Sequence, residues 1–338
     1  ALKDKEITHD ISHTLRDAIQ EELDRKKQVI IFQNRRGYAP VMECESCGYT
    51  PECPNCDVSL TFYKLLHQLK CNYCGHAQNK PIRCPVCASN GLVTKGIGTE
   101  QIQNQLEEIF PDARIKRMDV DAMRGKFAYE KLIEEFENKE VDILVGTQML
   151  TKGLDFGDVT LVGVIRADSL LNFPDFRAHE KAFQLLTQVS GRAGRREERG
   201  KVLIQSFQPD HQVLQNVTTY NYHQTMKDIL YERQSFHYPP FVRLLQFRFK
   251  HKNQERVQKT AEQFVQLLRP HVANNMLLGP EAPAISRINN LYLMNVLLKI
   301  QANQSPQKVK ELLHQQIEKL HTVSAYRSVR LEIDVDPQ

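Results

Sequence analysis

The first 205 residues alternate between a hydrophobic pattern typical of helices and one typical of buried strands. Helical spacing of apolar residues over residues 10–25 predicts a first helix (Ile11, Leu15, Ala18, Ile19 and Leu23). The same spacing predicts helices at 102–110, 129–136 and 178–189, with Thr99 as the N-cap of the second. Continuous apolar runs predict strands at 29–32, 113–118, 141–145, 160–165 and 201–205. Such alternation predicts an α/β fold whose parallel sheet is covered on both faces.

The pattern changes after residue 205. Helices are predicted within 210–235, and the two prolines of 238–240 indicate a linker. The elements predicted beyond it are a strand at 241–249, a helix at 257–268, strands near 275–279 and 291–300, a helix at 309–320 and a strand at 328–335. This β-α-β-β-α-β order predicts a ferredoxin-like α+β domain. We therefore expect three regions, at 1–205 with an insertion at 44–92, 206–240 as a helical connector, and 241–338.

All 8 cysteines fall inside one short segment, and each belongs to a C-x-x-C pair. The pairs are Cys44/Cys47, Cys53/Cys56, Cys71/Cys74 and Cys84/Cys87. A two-residue spacer lets both sulfurs bind one ion, and two such turns form the tetrahedral site that Zn²⁺ prefers. The segment therefore predicts two structural zinc ions. The sequence leaves the pairing open, but the gap between Cys56 and Cys71 favours a nested arrangement, with Cys53, Cys56, Cys71 and Cys74 inside and Cys44, Cys47, Cys84 and Cys87 outside.

Three other interpretations of the cysteines compete with zinc. A disulfide scaffold belongs to exported miniproteins, and no signal-peptide pattern occurs in residues 1–28. A redox pair needs a thioredoxin-like context, which the pattern lacks. An iron–sulfur cluster also uses four thiolates, but glycine and proline beside the cysteines indicate zinc knuckles.

Composition narrows the function class only a little. The net charge of +4 permits nucleic-acid binding without arguing for it. No run of 18 apolar residues occurs, so we expect no membrane span and a cytoplasmic protein. The chain starts at Ala1 without a methionine, within an amphipathic stretch, which predicts a piece of a longer protein.

Two loops carry residues suited to phosphate chemistry, and we expect both at the carboxyl ends of the strands, where ligands bind in such sheets. The first loop is GTQMLTKGLD at 146–155: Thr147 and Gln148 suit a phosphodiester backbone, Gly153 allows close approach, and Asp155 suits a nucleotide or ribose. The second is QVSGRAGR at 188–195, where Arg192 and Arg195 form a phosphate clamp. A basic loop without catalytic duty is the alternative for the second.

The order of these loops resembles motifs V and VI of superfamily 2 helicases. The cysteine pairs and three further segments resemble one family within it, the PriA primosomal helicases, over nearly the whole chain: VIIFQNRRGYAP at 29–40, PDFRAHEKAFQLLTQVSGRAGR at 174–195 and the terminal IDVDP. The resemblance implies a second RecA-like helicase lobe with an inserted two-zinc module and an S10-like C-terminal domain. It implies an ATP-dependent 3′-5′ DNA helicase that recognises stalled forks and directs primosome assembly and replication restart.

The resemblance also implies ligands and site residues. Its partners are branched and single-stranded DNA, single-stranded DNA-binding protein and the primosome and helicase-loading proteins, with ATP and Mg²⁺ as cofactors. Thr147, Gln148 and Lys152 match residues near the translocating strand, and Gly153 and Asp155 match residues near the nucleotide. Gln188, Arg192 and Arg195 match the residues that face ATP, with Arg195 as the arginine finger. Arg35 and Arg36 either contact the DNA backbone or brace the cysteine module.

One departure from a working motor matters. A Walker A loop, G-x-x-x-x-G-K-[ST], and a DExH acid do not occur, since Gly125-Lys126 is followed by Phe127 and Gly200-Lys201 by Val202. We therefore expect the full-length protein to be the ATPase and this chain alone to be inactive. The rival hypotheses are a noncatalytic zinc-containing scaffold that binds DNA or protein and, less favoured, a thiol-redox protein.

Overall fold

The computed structural model describes residues 7–8, 10–33, 41–63, 66–95, 98–119, 122–123, 125, 127–151, 156–194 and 200–337. Its strands are, in chain order, β1 (Ile7–Thr8), β2 (Ile11–Ser12), β3 (Gln28–Gln33), β4 (Val41–Cys44), β5 (Thr61–Tyr63), β6 (Gln68–Lys70), β7 (Ala77–Asn79), β8 (Leu92–Lys95), β9 (Ile115–Met118), β10 (Ile143–Gly146), β11 (Val159–Ile165), β12 (Lys201–Ile204), β13 (Val242–His251), β14 (Leu277–Glu281), β15 (Arg287–Ile288), β16 (Leu291–Gln301) and β17 (Arg330–Val335).

The helices are α1 (His13–Asp24), α2 (Thr99–Ile109), α3 (Ala128–Glu137), α4 (Asp168–Leu171), α5 (Ala178–Ser190), α6 (Gln212–Thr218), α7 (Tyr222–Ser235), α8 (Gln254–Leu268), α9 (Pro306–Thr322) and α10 (Ser324–Arg327). Short 3-10 turns lie at Gln148–Thr151, Arg269–His271 and Asn274–Met276. Within the described residues, none of the helices is long and apolar enough to cross a membrane. The chain divides into two compact units, the first formed by residues 1–39 and 96–229 and the second by 40–95 and 230–338.

The first unit is built on the predicted parallel sheet. Its five strands lie in the order β12-β11-β3-β10-β9, and every neighbouring pair is parallel. Central strand β3 is buried on both faces because helices cover both. Val29 and Ile31 pack in a cluster with residues of α1 and α2, whereas Ile30 and Phe32 pack with residues of α3, α5 and α6. The continuous apolar runs in the sequence follow from this double covering.

The start of α2 differs from the prediction. Gly98, not Thr99, is the N-cap, and Thr99 is the first helical residue. The Thr99 hydroxyl instead donates to the Asp119 carboxylate at 2.5 Å. Asp119 is 1% exposed, and a buried carboxylate needs hydrogen-bond donors. The Thr99 hydroxyl therefore bonds Asp119, directly after β9, and does not cap the helix as the sequence pattern predicted.

The second unit contains two antiparallel sheets. The cysteine module, residues 41–95, has short strands in the order β7-β6-β5-β4-β8. Among the described residues, its buried apolar cluster holds five cysteines and four other buried residues: Met42, Leu60, Leu69 and Leu92. Burial of apolar surface therefore contributes little to the stability of this module.

The C-terminal sheet has the order β14-β16-β13-β17, and all its neighbouring pairs are antiparallel. The main elements follow the predicted order β13-α8-β14-β16-α9-β17. Helix α8 packs on the sheet through Phe264, whose ring lies 4.8 Å from that of Phe247 and 5.4 Å from that of Phe249. The sequence did not predict strand β15, which pairs with the start of β16.

Candidate metal centre and motor motifs

The eight cysteines form two quartets. Cys44, Cys47, Cys84 and Cys87 make the outer quartet, and Cys53, Cys56, Cys71 and Cys74 the inner one, with the sulfurs of each within 4.8 Å of one another. The Sγ atoms of Cys44 and Cys87 are 3.6 Å apart, and those of Cys53 and Cys74 are 3.5 Å apart. The nested pairing predicted from the sequence is confirmed.

Both quartets fit a zinc ion. A tetrahedral site with Zn–S bonds of about 2.3 Å needs sulfurs roughly 3.8 Å apart, close to the distances found. None of the eight cysteines forms a disulfide. Gly48 and Gly75 have the positive φ expected of knuckle turns, 73° and 76°, and each amide donates to the carbonyl of the first cysteine of its turn. Four thiolates leave no open position for a catalytic water, so the sites suit a structural metal.

The quartets differ in burial and in the polar groups around them. Cys47 and Cys87 of the outer quartet are exposed, whereas three inner cysteines are buried and Cys74 is partly buried. The Ser89 hydroxyl lies 3.2 Å from the Sγ atoms of both Cys44 and Cys87, and it lowers the pKa of Cys44 to about 6. Burial raises the pKa of Cys56 to about 12, while a backbone amide outside the module acts against this rise.

That amide belongs to Asn289, in the turn between β15 and β16, and it donates to the Sγ atom of Cys56 at 3.2 Å. No motif in the sequence marked this residue or its neighbours Arg287 and Asn290 as part of a metal site. One signal was present in the sequence: two successive asparagines between apolar residues are typical of a tight hairpin turn, because asparagine tolerates positive φ. Nothing in the sequence indicated what the turn contacts.

The first phosphate loop begins where predicted, at the carboxyl end of β10. The amide of Thr147 donates to the carbonyl of Met118, the last residue of β9, at 3.3 Å. The side chains of Thr147 and Gln148 are partly buried, and Gln148 starts a 3-10 turn. Thr147 therefore lies at the edge of the sheet where ligands bind in parallel α/β folds.

The second loop does not share that edge. Gln188 is exposed on the last turn of α5, and Arg192 follows it, partly buried. The amide of Gly194 donates at 2.8 Å to the carbonyl of Val159, the first residue of β11. The prediction of both loops at the carboxyl ends of the strands is thus wrong for this one. A crossover helix runs opposite to the parallel strands, so the loop after α5 reaches the amino edge.

Six predicted site residues lie outside the described residues: Lys152, Gly153, Asp155, Arg195, Arg35 and Arg36. Two aspartates between the two phosphate loops accept hydrogen bonds that fix the local backbone. Asp168 accepts hydrogen bonds from the Ser206 hydroxyl and the Phe207 amide, and Asp175 accepts from the Arg177 amide and the Lys181 ammonium. These contacts join α4 to the segment after β12 and fix the turn before α5.

Neighbouring strands β13 and β17 of the C-terminal sheet carry charges of opposite sign that pair with each other. Lys250 on β13 pairs with Glu332 on β17 at 2.5 Å, and Arg330 lies 3.1 Å from the same carboxylate. The Lys250 ammonium is the main cause of a lowered pKa at Glu332.

Three family models match the chain. Residues 53–78 match the "PriA DNA helicase Cys-rich region (CRR) domain", 93–197 the "Helicase conserved C-terminal domain", and 234–338 the "Primosomal protein N C-terminal domain". The first match encloses the inner quartet, and the second contains both phosphate loops.

Curated relatives agree with these matches. The Replication restart protein PriA of Bacillus subtilis (strain 168) is 40% identical over 328 residues, which cover 96% of this chain and 40% of the relative. The PriA protein of Synechocystis sp. is 43% identical over 331 residues, covering 96% of this chain and 39% of the relative, and that of Haemophilus influenzae is 34% identical over 339, covering 100% and 46%. The chain thus spans less than half the length of these relatives.

Proposed function

Because this chain belongs to the PriA family, we propose that it forms part of an ATP-dependent 3′-5′ DNA helicase that recognises stalled replication forks and directs primosome assembly. The observation that carries the proposal is the order of the matched regions, a PriA cysteine region followed by a helicase C-terminal domain and a primosomal C-terminal domain. In this proposal the parallel sheet of the first unit belongs to the second RecA-like lobe of the motor. The ATP-cradling lobe belongs to the part of the relatives that this chain does not span.

The arginine loop after α5 is the proposed catalytic element. Arg192 and Arg195 neutralise the charge that develops on the transferred γ-phosphoryl group, with Arg195 as the arginine finger, and Gln188 is the third residue that faces ATP. ATP and Mg²⁺ supply the phosphoryl group and its counter-charge when bound. The Gly194 amide supports this role because it ties the described part of the loop, which includes Arg192, to β11.

The loop after β10 is the proposed contact with nucleic acid and nucleotide. Thr147, Gln148 and Lys152 bind the phosphodiester backbone of the translocating strand, and Arg35 and Arg36 extend this contact. Gly153 and Asp155 adjoin the nucleotide. The position of Thr147 at the carboxyl edge of the sheet supports the DNA contact.

The cysteine module is proposed to hold two structural zinc ions, one in each quartet, which supply most of its folding energy. We further infer that residues 241–338 form a ferredoxin-like, S10-like domain, supported by the strand order β14-β16-β13-β17. This domain binds DNA and single-stranded DNA-binding protein, and the primosome and helicase-loading proteins complete the set of partners. The domain limits are 1–205 with its insertion at 44–92, 206–240 and 241–338.

The test replaces the arginines in a protein of the full family length. Arg195→Ala and Arg192→Ala should each lower DNA-stimulated ATP turnover at least about 1000-fold, because an arginine finger contributes that much to phosphoryl transfer. Binding to forked DNA, measured by fluorescence anisotropy, should change less than about threefold, which is roughly 0.6 kcal/mol. Arg16→Ala, an exposed arginine on α1, is the matched control.

A second hypothesis, a noncatalytic zinc-bearing scaffold, predicts a different result. Turnover that survives both arginine substitutions would contradict the motor proposal and favour the scaffold. The isolated 338-residue chain should show no DNA-stimulated ATPase activity under either hypothesis. Measurable activity would contradict the proposal that ATP is held by a lobe that this chain does not span. Two zinc ions per chain and no reactive thiols would exclude a thiol-redox protein.

A further inference from the structure

The hairpin formed by β15 and the start of β16, residues 286–292, contacts the inner quartet, although more than 200 residues separate the two in sequence. Its tip is a two-residue turn in which Asn289 and Asn290 have φ values of 50° and 60°. Positive φ at both central residues is the signature of a type I′ turn, which suits the twist of a hairpin. The turn carries the Asn289 amide to the sulfur of Cys56.

The residues around that turn make a dense set of contacts with the knuckle at 53–57. The Asn290 amide donates to the Asn55 carbonyl at 2.8 Å, and the two side-chain amides bond at 3.0 Å. Ile288 packs, partly buried, against the buried cluster of the cysteine module. The hairpin thus contributes apolar and polar contacts to the module from outside it.

Asp57, directly after the knuckle, fixes the base of the hairpin. Its carboxylate accepts from the Ser286 hydroxyl at 2.5 Å and from the Arg287 guanidinium at 2.9 Å. Arg287 also donates to the carbonyl of Pro54 at 3.1 Å, and the Asp57 amide donates to the Arg287 carbonyl at 3.0 Å. A bond in each direction between the same two residues holds the hairpin in one register.

The outer quartet has no counterpart of this arrangement among the described residues. Its polar partner is Ser89, which belongs to the module itself. The inner quartet also has local donors, the amides of Asn55 and Tyr73, and it gains the Asn289 amide from the C-terminal region in addition.

We propose that the 286–292 hairpin completes the inner metal site, with Asn289 as a positioning residue for Cys56 and the Asp57–Arg287 pair holding it in place. An amide that donates to a thiolate stabilises its charged, metal-binding form and fixes its orientation. The inner metal and the docking of the C-terminal domain then stabilise each other, because coupling between two binding events is reciprocal. This inference rests on the proposed zinc ions.

The test measures zinc release from the full 338-residue chain loaded with two zinc ions. Release to an excess of chelator is followed with a colorimetric zinc indicator, and two phases are expected, one for each quartet. Arg287→Ala and Asp57→Asn should each accelerate one phase by roughly 10-fold, the lower end of the effect of outer-shell substitutions on metal sites. The other phase should not change.

Four further variants identify which quartet each phase reports. Ser89→Ala should accelerate the phase that Arg287→Ala leaves unchanged, since Ser89 contacts only outer cysteines. Asn289→Gly keeps both the amide and the positive φ and should release zinc like the parent, whereas Asn289→Ala disfavours the turn and should accelerate the inner phase. Within the part of the chain that the structure describes, Arg330 pairs with Glu332 on β17 and contacts neither quartet, so Arg330→Ala should change neither phase.

The possible outcomes distinguish a failure of the hairpin inference from a failure of the zinc proposal. Unchanged release in Arg287→Ala and Asp57→Asn would overturn the inference, and so would equal acceleration of both phases, which indicates general loosening of the module. Fewer than two zinc ions in the loaded parent would instead contradict the zinc proposal itself. Faster hydrogen exchange of residues 286–292 on removal of the inner zinc is the expected reciprocal effect.

Discussion

Gly146 ends β10 immediately before the loop with Thr147 and Gln148. A Cβ atom at this position would lie 2.7 Å from the side chain of Leu150 and 2.9 Å from the carbonyl of Met118. The carbonyl cannot move away easily, because it also accepts the Thr147 amide that fixes the loop. Close approach of two backbones, rather than a positive φ, therefore requires glycine here.

Gly146→Ala should lower the free energy of unfolding by about 1–3 kcal/mol, the range found for overpacked sites. Urea denaturation followed by circular dichroism measures the change. Gly191→Ala is the control, since a Cβ atom there meets only carbonyl oxygens at 3.5 Å or beyond. If Gly146→Ala is as stable as the parent, β9 and the loop after β10 can move apart to accommodate a Cβ atom without loss of folding free energy.

At the scale of secondary structure, the cysteine module stands out because its buried apolar cluster is the smallest of the four in the described residues. Strands β5, β6 and β7 have three residues each, and five of the nine buried residues in the apolar cluster of the module are cysteines. A region of this length with so few buried apolar residues is only marginally stable without metals or disulfides. In the zinc proposal, the two metal ions take the place of a larger hydrophobic core.

Removal of zinc from the full chain should unfold the module and leave the first unit folded. Hydrogen exchange with mass spectrometry, before and after treatment with 1,10-phenanthroline, should show loss of protection in peptides from 41–95. Peptides from β10 and β11, which lie in an apolar sheet, should keep their protection. Protection of 41–95 that persists after metal analysis finds no zinc would contradict this account.

At the scale of the whole molecule, each compact unit has its own buried aromatic centre. In the first unit, Phe136 is fully buried and its ring lies edge-on to that of Phe156 at 4.6 Å. In the second, Phe264 is fully buried between α8 and the C-terminal sheet. Two separate cores allow each unit to lose stability without the other.

Phe136→Ala should therefore weaken protection of β10 and β11, and Phe264→Ala that of β13 and β16, each through a loss of about 3–5 kcal/mol for a truncated core phenylalanine. Native-state hydrogen exchange reports both units in one experiment. The controls are Phe173→Ala and Phe236→Ala, whose side chains are exposed by 46% and 62%. Equal loss of protection in both units from either core variant would mean that they unfold together.

The sequence alone determined the features that local chemistry dictates. Apolar runs such as 29–32 predicted strands of a doubly covered sheet, because each of these residues must face one of two cores. The C-x-x-C spacing predicted that each pair of sulfurs binds one ion, and the gap between Cys56 and Cys71 favoured the nested quartets. The order of elements after residue 240 followed from hydrophobic periodicity in the same way.

Tertiary structure alone decided which distant groups meet. Thr99 turned from the cap to Asp119 because the end of β9 brought a buried carboxylate beside it. Arg192 lies at the amino edge of the sheet because α5 crosses back along the strands. Asn289 donates to Cys56 because two sheets of one unit bring a hairpin to a knuckle, and such a contact leaves no periodicity or spacing in the sequence.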